Sequence, residues 1–433
     1  MFITLGISLV VIAVFIASIL FFPSVTVKKH TVKIYSIIPI IGALLLLLFG
    51  RVGFLDIAKK FSENTAVNPI KILILFLSMT VFSLVLEQTG FFSYISTWVL
   101  ERAGRKQLAV FVSLYLVISL LTVFTSNDII ILTFTPFICH FCRAAKIDPL
   151  PYLIMEFVAA NTWSLFLIIG NPTNIYIGGA FGIDFVEYLT VMALPTVAAG
   201  VVSLGIMLFI FRKKLKKDMD ECAEHGEITD KPVMVISLIH LIAVILGLAV
   251  SGYVGIEMWL VSLALSVSEI LSVCICLAIR RKGFGVAGRA LGGMPFEVIP
   301  FIIGMFVMVM ALEASGITYI IAKTLENLPD VFTYGYLSFL SCNIVNNIPM
   351  SVLFSKILSA CSSTQISAVY ATVIGSNLGA FLTPIGALAG IMWSNLLKKD
   401  GVKISFVGFM KYGVIIGIPA ISASLAVLHL ILK

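Results

Sequence analysis

Long apolar runs without Asp, Glu, Lys or Arg dominate the pattern of this chain. A helix needs about 20 apolar residues to cross the hydrocarbon layer of a membrane. The runs of this length are residues 1–27, 107–127, 157–183, 188–211, 232–256, 331–355, 357–397 and 412–432. They are continuous, whereas the strands of a transmembrane barrel alternate apolar and polar residues. The pattern predicts an all-α polytopic membrane protein with about 10–11 membrane segments.

Composition excludes the main soluble classes. Of the 433 residues, 60% are hydrophobic and 12% are charged, whereas soluble domains carry roughly 25% charge. A soluble enzyme, a nucleic-acid binder and a secreted disulfide scaffold are excluded, and the expected partner is the lipid bilayer. The net charge of +7 fits the excess of Lys and Arg in cytoplasmic loops. Residues 1–27 lack a basic start and exceed a signal-peptide core, so we expect a first span.

The seven cysteines are scattered and lie mostly in apolar runs, which is typical of small buried residues. Cys139 and Cys142 have CxxC spacing, but no second ligand pair follows at the spacing of a zinc site. We therefore predict no metal site and no cofactor.

One plainly aqueous segment divides the chain nearly in half. Residues 212–231 (RKKLKKDMDECAEHGEITDK) are basic at one end and acidic at the other. The positive-inside bias predicts that this linker is cytoplasmic in the plasma membrane. We expect N-terminal spans in residues 1–66, a first half in 67–211, the linker, and a second half in 232–433.

The two halves share motifs in the same order. LEQTG is followed after 37 residues by Asn127 and, 45 residues later, by Pro172. LEASG is followed after 30 residues by Asn346 and, 38 residues later, by Pro384. Matched interruptions of this kind are typical of secondary transporters built from internal repeats.

Basic residues predict how each half is threaded. Residues 107–142 begin and end beside basic clusters with Ser126-Asn127-Asp128 halfway, which indicates a re-entrant hairpin. Residues 331–359 repeat this with Asn346-Asn347 at the tip. With the N-terminus outside, each half has an odd number of crossings, so the halves are predicted to be inverted repeats. Seven of the 29 basic residues then lie outside: Arg51, Lys59, Lys60, Lys71, Lys323, Lys356 and Lys433.

Each half also contains a predicted helix break. Residues 170–174 (GNPTN) and 382–386 (LTPIG) bring Pro and Gly into apolar runs, where they loosen a helix. Pro172, Pro349 and Pro384 fit the first turn of a restarting helix. Four helix N-termini would then meet near the midplane with unpaired N–H groups. One break alone is as often structural as functional, but two matched pairs favour a site for an anion, a compact polyhydroxy solute or a cation such as Na⁺.

The site residues are expected among the polar residues of the tips and breaks. The expected substrate-binding residues are Ser126, Asn127, Asn171, Thr173, Asn174, Asn346, Asn347, Asn377 and Thr383. The expected ligands of a coupling ion, H⁺ or Na⁺, are Asp128, Asn127, Asn161 and Asn346. Asp128 is the best proton or cation candidate, because ionisable residues are costly in lipid.

Four further carboxyl groups lie in or near apolar segments. Glu87 and Glu313 hold matched positions, where interfacial hydrogen bonding is favoured over a role in transport. Glu156 and Glu269 lie within predicted spans, and Glu156 is close to a cytoplasmic end.

At these residues the sequence resembles the ion transporter superfamily, which includes ArsB-type arsenite efflux proteins, NhaD-type sodium/proton antiporters and dicarboxylate/citrate transporters. The resemblance covers nearly the whole chain, and the ArsB branch is the nearest match. Its strongest stretches are residues 124–136, 160–174, 345–349 and 375–393. The resemblance implies a scaffold and a transport domain, a substrate held between tips and breaks, and alternating access driven by Na⁺ or H⁺.

The sequence departs from the family in two places. Asn161 and Asn377 stand where ArsB-type proteins tend to carry Asp, which removes two proton carriers. Trp163-Ser164-Leu165-Phe166 replaces a Gly-Gly-Thr-Gly run of the carboxylate transporters, which is expected to put bulk where a carboxylate needs close backbone approach. Residues 170–174 nevertheless look more like the carboxylate-transporter break.

The leading hypothesis is a secondary active transporter of a small anion or oxyacid, most simply ArsB-like efflux of arsenite as As(OH)₃ or of antimonite. The alternatives are Na⁺- or H⁺-coupled transport of a citrate-like carboxylate and Na⁺/H⁺ antiport through Asp128. An intramembrane enzyme is disfavoured, because His-x-x-Glu-His and Gly-x-Ser-x-Gly patterns are absent. The superfamily contains monomers and dimers, so a homodimer stays open.

Overall fold

The structure is a computed structural model that describes residues 1–22, 24–27, 30–65, 68–220, 226–326, 328, 330–361 and 365–433. Residue 66, where the N-terminal spans were expected to end, and residues 221–225 of the expected linker lie outside the described residues.

The described chain is helical apart from one short β-hairpin. Before the linker the elements are α1 (Phe2–Phe21), β1 (Ser24–Val27), β2 (His30–Lys33), α2 (Ile34–Leu48), α3 (Phe54–Ser62), α4 (Pro69–Gln88), α5 (Phe91–Ala103), α6 (Gln107–Phe124), α7 (Asn127–Ala144), α8 (Leu150–Trp163), α9 (Pro172–Ala180) and α10 (Phe185–Leu215). The two strands pair antiparallel, with Val25 opposite Val32.

After the linker the elements are α11 (Lys231–Val254), α12 (Met258–Ile279), α13 (Gly285–Gly292), α14 (Val298–Ala314), α15 (Ile317–Leu325), α16 (Asp330–Val345), α17 (Asn347–Ala360), α18 (Ile366–Leu378), α19 (Leu388–Lys399) and α20 (Phe406–Ile431). Single turns of 3₁₀ helix occur at Ile168–Gly170 and Gly379–Phe381.

The helices have the length and apolar character of a multi-pass membrane protein. Seven helices in the described ranges can cross a membrane by themselves, namely α1, α4, α6, α10, α11, α12 and α20. The pair α14 and α15, bent by 74°, passes the same test as one unit. The predicted polytopic all-α class is confirmed, and the shorter helices of the tips and breaks lie between these spans.

The order of elements repeats in the two halves. In each half, a helix turns through a glycine in the left-handed region, Gly90 with φ of 78° and Gly316 with φ of 80°, into a short helix. A helical hairpin, an interrupted helix and a long final helix follow in both halves. The inverted orientation of the halves stays a prediction.

The first hairpin, α6 and α7, begins and ends on one side of the molecule. Gln107 at the start of α6 donates to the carbonyl of Asp218, while the carbonyl of Ala145, after α7, accepts from the N–H of Asp220. One linker segment therefore touches both ends of the hairpin. The chain enters and returns on the same side, as expected for a re-entrant hairpin.

Basic clusters from distant parts of the sequence meet on this linker face. Lys146 pairs with Asp220 at 2.9 Å, and Lys282 pairs with Asp230 at 2.8 Å. Arg143 donates to the carbonyl of Asp400, next to the basic end of α19. This grouping is the one that the positive-inside bias requires, and the assignment of the face to the cytoplasm stays a prediction.

The helices pack into two groups, which we call the frame and the central unit. In the frame, α2 packs on α1 and α14, and α4 packs on α11 and α12. In the central unit, α10 packs on α20 and α16 on α18. The halves also cross over, because α7 packs on α19 and α9 on α17. The interrupted helices α8, α9 and α18 are buried along almost their whole length.

Candidate functional site

The first interrupted helix stops at Trp163 and restarts at Pro172. The gap spans residues 164–171, so the predicted segment 170–174 covers its end and the first turn of α9. Gly170 lies close against the turn after α8, where a Cβ would come within 3.0 Å of the Cα of Ser164. The chain therefore folds back on itself, and the polar side chains of the gap face inward.

Six polar side chains from this gap, α9 and α18 form what we call the amide cluster: Ser164, Asn171, Thr173, Asn174, Ser376 and Asn377. All are 0 or 1% exposed. Asn377 lies at its centre. Its Nδ2 donates to Asn174 Oδ1 at 2.7 Å, and its Oδ1 accepts from Asn171 Nδ2 at 2.9 Å and Ser164 Oγ at 3.1 Å. The cluster ties the first break to the helix that precedes the second break.

The second tip and the second break are joined by another group of amides. Asn346 Nδ2 donates to the carbonyl of Ile385 at 2.9 Å, and the N–H of Asn347 donates to the carbonyl of Gly386 at 2.9 Å. Thr383 Oγ1 donates to Asn343 Oδ1 at 2.7 Å. The carboxamide oxygen of Asn347 is buried without a hydrogen-bond donor among the described residues.

Asn346 holds a backbone conformation that other residues seldom adopt. Its φ of 71° and ψ of 153° fall in a region that is essentially restricted to glycine and costs about 1–3 kcal/mol for other residues. Its side chain compensates in part, because Oδ1 caps α17 by accepting from the N–H of Ile348. Such strain is typical of ligand-binding and switch positions.

The first tip makes a different contact. Ser126 caps α7, and Asn127 Nδ2 donates to Asn161 Oδ1 at 3.2 Å. Asp128 is partly exposed, and no described residue donates a hydrogen bond to its carboxylate. It lies within electrostatic range of the Lys33–Glu297 ion pair of the frame. Asn127 and Asn161, two of the predicted ion ligands, are therefore in contact, and Asp128, a third, faces the frame.

The four helix N-termini offer fewer free donors than the sequence indicated. Asn171 caps α9 and Asn346 caps α17, while a proline follows within the first turn of each helix. At α19 the expectation for Pro384 is wrong. Pro384 lies in the turn before the helix, which begins at Leu388 after an Ala387 cap without a side-chain hydrogen bond. Asparagine side chains thus take hydrogen bonds that a bound anion would need at α9 and α17, whereas the N-terminus of α19 has no side-chain cap.

Trp163 does not fill the site, contrary to the expectation from its bulk. Its indole N–H donates to Tyr115 at 3.1 Å, and its ring packs on Gly200 of α10, where a Cβ would come within 2.8 Å of the ring. The side chain points away from the amide cluster. The bulk of Trp163 is therefore taken up between α6 and α10 rather than in the amide cluster.

A cavity of about 390 Å³ reaches the second break from the linker face. Pro384 and Ile385 form part of its wall, with Trp393, and Lys398 and Lys403 lie towards its basic end. Asn346 binds the carbonyl of Ile385, so the second tip lies directly behind this wall. A small solute entering from the linker face would meet the break first.

Sequence reasoning missed Ser164, Ser376 and Asn343, which bond directly to the predicted residues. Asn343 was detectable, because it is a polar residue in an apolar run within four positions of the predicted tip Asn346-Asn347. Ser164 and Ser376 had no such signal, since serines are common in membrane helices.

The chain is similar to several bacterial membrane proteins over most of its length. An arsenical pump membrane protein of Escherichia coli is 27% identical over 408 residues, which cover 90% of this chain and 92% of that protein. The arsenical pump membrane protein of Yersinia enterocolitica is 27% identical over 371 residues, covering 82% and 85%. A 46 kDa membrane protein of Mycobacterium leprae is 25% identical over 402 residues, covering 86% and 88%.

Two solved transporters share the fold. The YdaH transporter of Alcanivorax borkumensis superposes with a TM-score of 0.59 at 13% identity, covering 99% of this chain and 97% of that one. MtrF of Neisseria gonorrhoeae superposes with a TM-score of 0.52 at 13% identity, covering 98% and 93%.

The family model described as citrate transporter matches residues 1–370 of the chain. Those residues include both tips, the first break and four of the six members of the amide cluster, namely Ser164, Asn171, Thr173 and Asn174. The chain is therefore a member of the citrate transporter family, and it is a multi-pass secondary transporter rather than an enzyme.

Proposed function

We propose that this transporter exports a neutral oxyacid, arsenite as As(OH)₃ or its antimony counterpart, across the plasma membrane. The observation that carries the proposal is the buried, unpartnered carboxamide oxygen of Asn347 at the second tip. A buried acceptor without a donor is costly. A hydroxyl group of As(OH)₃ would satisfy it; an ionised carboxylate group would not, although the hydroxyl group of citrate could, so the charge of the site has to distinguish the two solutes.

The charge of the site supports a neutral solute. Helices α6, α8, α9, α16 and α18 contain no Lys or Arg, and the basic residues of α7 and α17 lie at least eight positions beyond the tips. Asn171, Asn346 and Ser126 cap three of the four N-termini, and the fourth, that of α19, follows Ala387 without a side-chain cap. A trivalent citrate would therefore enter a buried site without a cationic partner, which is strongly unfavourable.

The cavity on the linker face supports access of a solute to the site from that face. It opens beside Lys398 and Lys403, on the face that the basic residues assign to the cytoplasm. A solute from the cell interior would reach the second break and tip through it.

Growth in arsenite tests the proposal in cells that lack their own exporter. Expression of the chain is expected to raise resistance, and Asn347→Leu and Asn127→Ala to abolish the gain. Asn64→Leu, at an exposed asparagine in the frame, is the matched control and is expected to retain it. Unchanged sensitivity on expression of the wild-type chain would remove arsenite as the substrate.

A citrate-like carboxylate is the second candidate, and the family match favours it. Its charge would need compensation by Na⁺ ions held by amide and carbonyl oxygens of the tips. Uptake of radiolabelled citrate or succinate into vesicles that depends on a Na⁺ gradient would support this function over arsenite export.

A further inference from the structure

A fully buried carboxyl group lies behind the cavity wall, outside the tips and breaks. Glu156 of α8 is 0% exposed. Thr135 of α7 donates to its Oε1 at 2.7 Å, and the indole N–H of Trp393 of α19 donates to its Oε2 at 3.3 Å. The same Trp393 lines the cavity of about 390 Å³. One side chain therefore separates this carboxyl group from a space open to the linker face.

The surroundings of Glu156 hold no compensating cation among the described residues. The titratable group that interacts with it is the thiol of Cys139 on α7. The helices packed against α8 are α6, α7, α10 and α18; α19 reaches it through Trp393 and α20 through Phe409. Their charged and histidine residues lie near helix ends: Asp128, His140 and Arg143 on α7, Glu187 and Arg212–Lys214 on α10, Lys398 and Lys399 on α19, and Lys411 and His429 on α20; α6 and α18 carry none.

We propose that Glu156 is the proton-binding site that couples transport to the pH gradient. The proposal deepens the proposed function, on which it rests for the identity of the transported solute. Burial without a neighbouring cation favours the uncharged form of a carboxyl group, whereas the hydrogen bonds from Thr135 and Trp393 favour its charged form.

The position of Glu156 explains how its proton would act on the site. The group joins three helices: α7 leads from the first tip, α8 leads to the first break, and α19 follows the second break. As a carboxylate, Glu156 accepts from both Thr135 and Trp393. When Oε2 takes one proton from a hydronium ion in the cavity, it loses its charge and accepts the bond from Trp393 less strongly, so α19 is held to α8 mainly by the packing of Trp393 on Phe157. Deprotonation strengthens the bond again and returns one proton to water.

The test uses the full chain reconstituted in liposomes. Infrared pH-difference spectra need no substrate and are expected to contain the C=O stretching band of a titrating buried carboxylic acid, which Glu156→Gln removes. Arsenite flux is then measured with and without a pH gradient. We expect Glu156→Gln to lose the response to the gradient and Glu156→Asp to restore part of it.

Glu269→Gln is the matched control. Glu269 of α12 is also 0% exposed and hydrogen bonded to Ser237, but it lies in the frame. We expect this variant to keep the gradient response. An unchanged infrared band in Glu156→Gln, or an intact gradient response in that variant, would overturn the proposal. Absence of arsenite flux in the wild-type protein would instead contradict the proposed function, while the infrared result would still decide the role of Glu156.

Discussion

The amide cluster joins the two halves of the molecule through uncharged side chains. Asn377 uses both ends of its carboxamide, accepting from Asn171 and Ser164 and donating to Asn174. A carboxylate could accept two of these bonds but would place an oxygen against the Asn174 carboxamide oxygen. Asparagine at this position is therefore required by its neighbours, and the departure from the acid typical of ArsB-type proteins has a structural reason.

Asn377→Asp is expected to destabilise the protein by about 1–3 kcal/mol, because a buried donor is lost and two acceptors are forced together. Thermal unfolding in detergent measures the loss. Asn64→Asp, at an exposed asparagine that bonds Lys71, is the control and should change little. Equal stability of Asn377→Asp and the wild-type protein would show that the cluster can accept a carboxyl group.

The sequence identified the polar residues of the site better than it identified their hydrogen-bond partners. Asn171, Thr173, Asn174 and Asn377 stand out as polar residues at breaks in apolar runs, and the structure brings them together. Their pairing with one another could not be predicted, because it depends on how closely α9 approaches α18. Polar residues that are available to a ligand and polar residues that bond one another give the same pattern in the sequence.

Small residues let helices of the site approach one another closely, and these close contacts fix the positions of the helices. Gly375 on α18 faces α16, where a Cβ would come within 2.8 Å of the backbone N of Phe339, and Gly379 lies one turn further along. Small residues four apart let membrane helices approach closely. The GSNLG stretch therefore brings Asn377 to the amide cluster and the second break to Asn343.

Gly375→Ala is expected to cost about 1–3 kcal/mol through overpacking of α16 against α18. Gly205→Ala on α10 is the matched control, since a Cβ there meets no atom within 4 Å. That change should be neutral or stabilising by up to about 1 kcal/mol, because alanine favours the helix. Unfolding temperatures of the two variants, measured side by side, check the pair; a larger loss for Gly205→Ala would refute the packing argument.

The broken helices and hairpins were predictable from paired interruptions, but their boundaries were not. The chain stops α8 at Trp163, well before the Gly-Asn-Pro-Thr-Asn signal, because Asn171 binds the restarting helix rather than ending the earlier one. At the second break Pro384 sits in a turn instead of opening α19. A proline indicates that a helix is interrupted nearby, and the surrounding contacts decide whether the interruption lies before or after the proline.

On the linker face of the molecule, ion pairs connect the start of α11 with the end of α12. Asp230 is 5% exposed, caps α11, and pairs with Arg280 and Lys282 beyond α12. Burial alone would raise the pKa of its carboxyl group, but the hydrogen bonds from Arg280 and Lys282 outweigh burial and hold the pKa below the usual value. This contact fixes the start of the second half to the end of the α11–α12 pair.

The lowered pKa of Asp230 predicts a pH-dependent contribution to stability. That contribution is fully present above the ordinary Asp pKa of about 3.9 and is lost as the pH falls through the lower pKa of the folded protein. Asp230→Asn keeps the helix cap but removes the charge, so we expect a loss of about 1–3 kcal/mol at pH 7 that shrinks below pH of about 4. Asp220→Asn, at a carboxylate that is 60% exposed, should have little effect. A loss for Asp230→Asn that is the same at both pH values would contradict this account.

The most direct test of the transport site is arsenite flux into liposomes that contain the purified protein. The account predicts that the wild-type chain carries arsenite, that Asn347→Leu stops this flux while Asn64→Leu keeps it, and that citrate does not compete. Citrate flux without arsenite flux, or full arsenite flux through Asn347→Leu, would contradict a neutral-oxyacid site at the second tip.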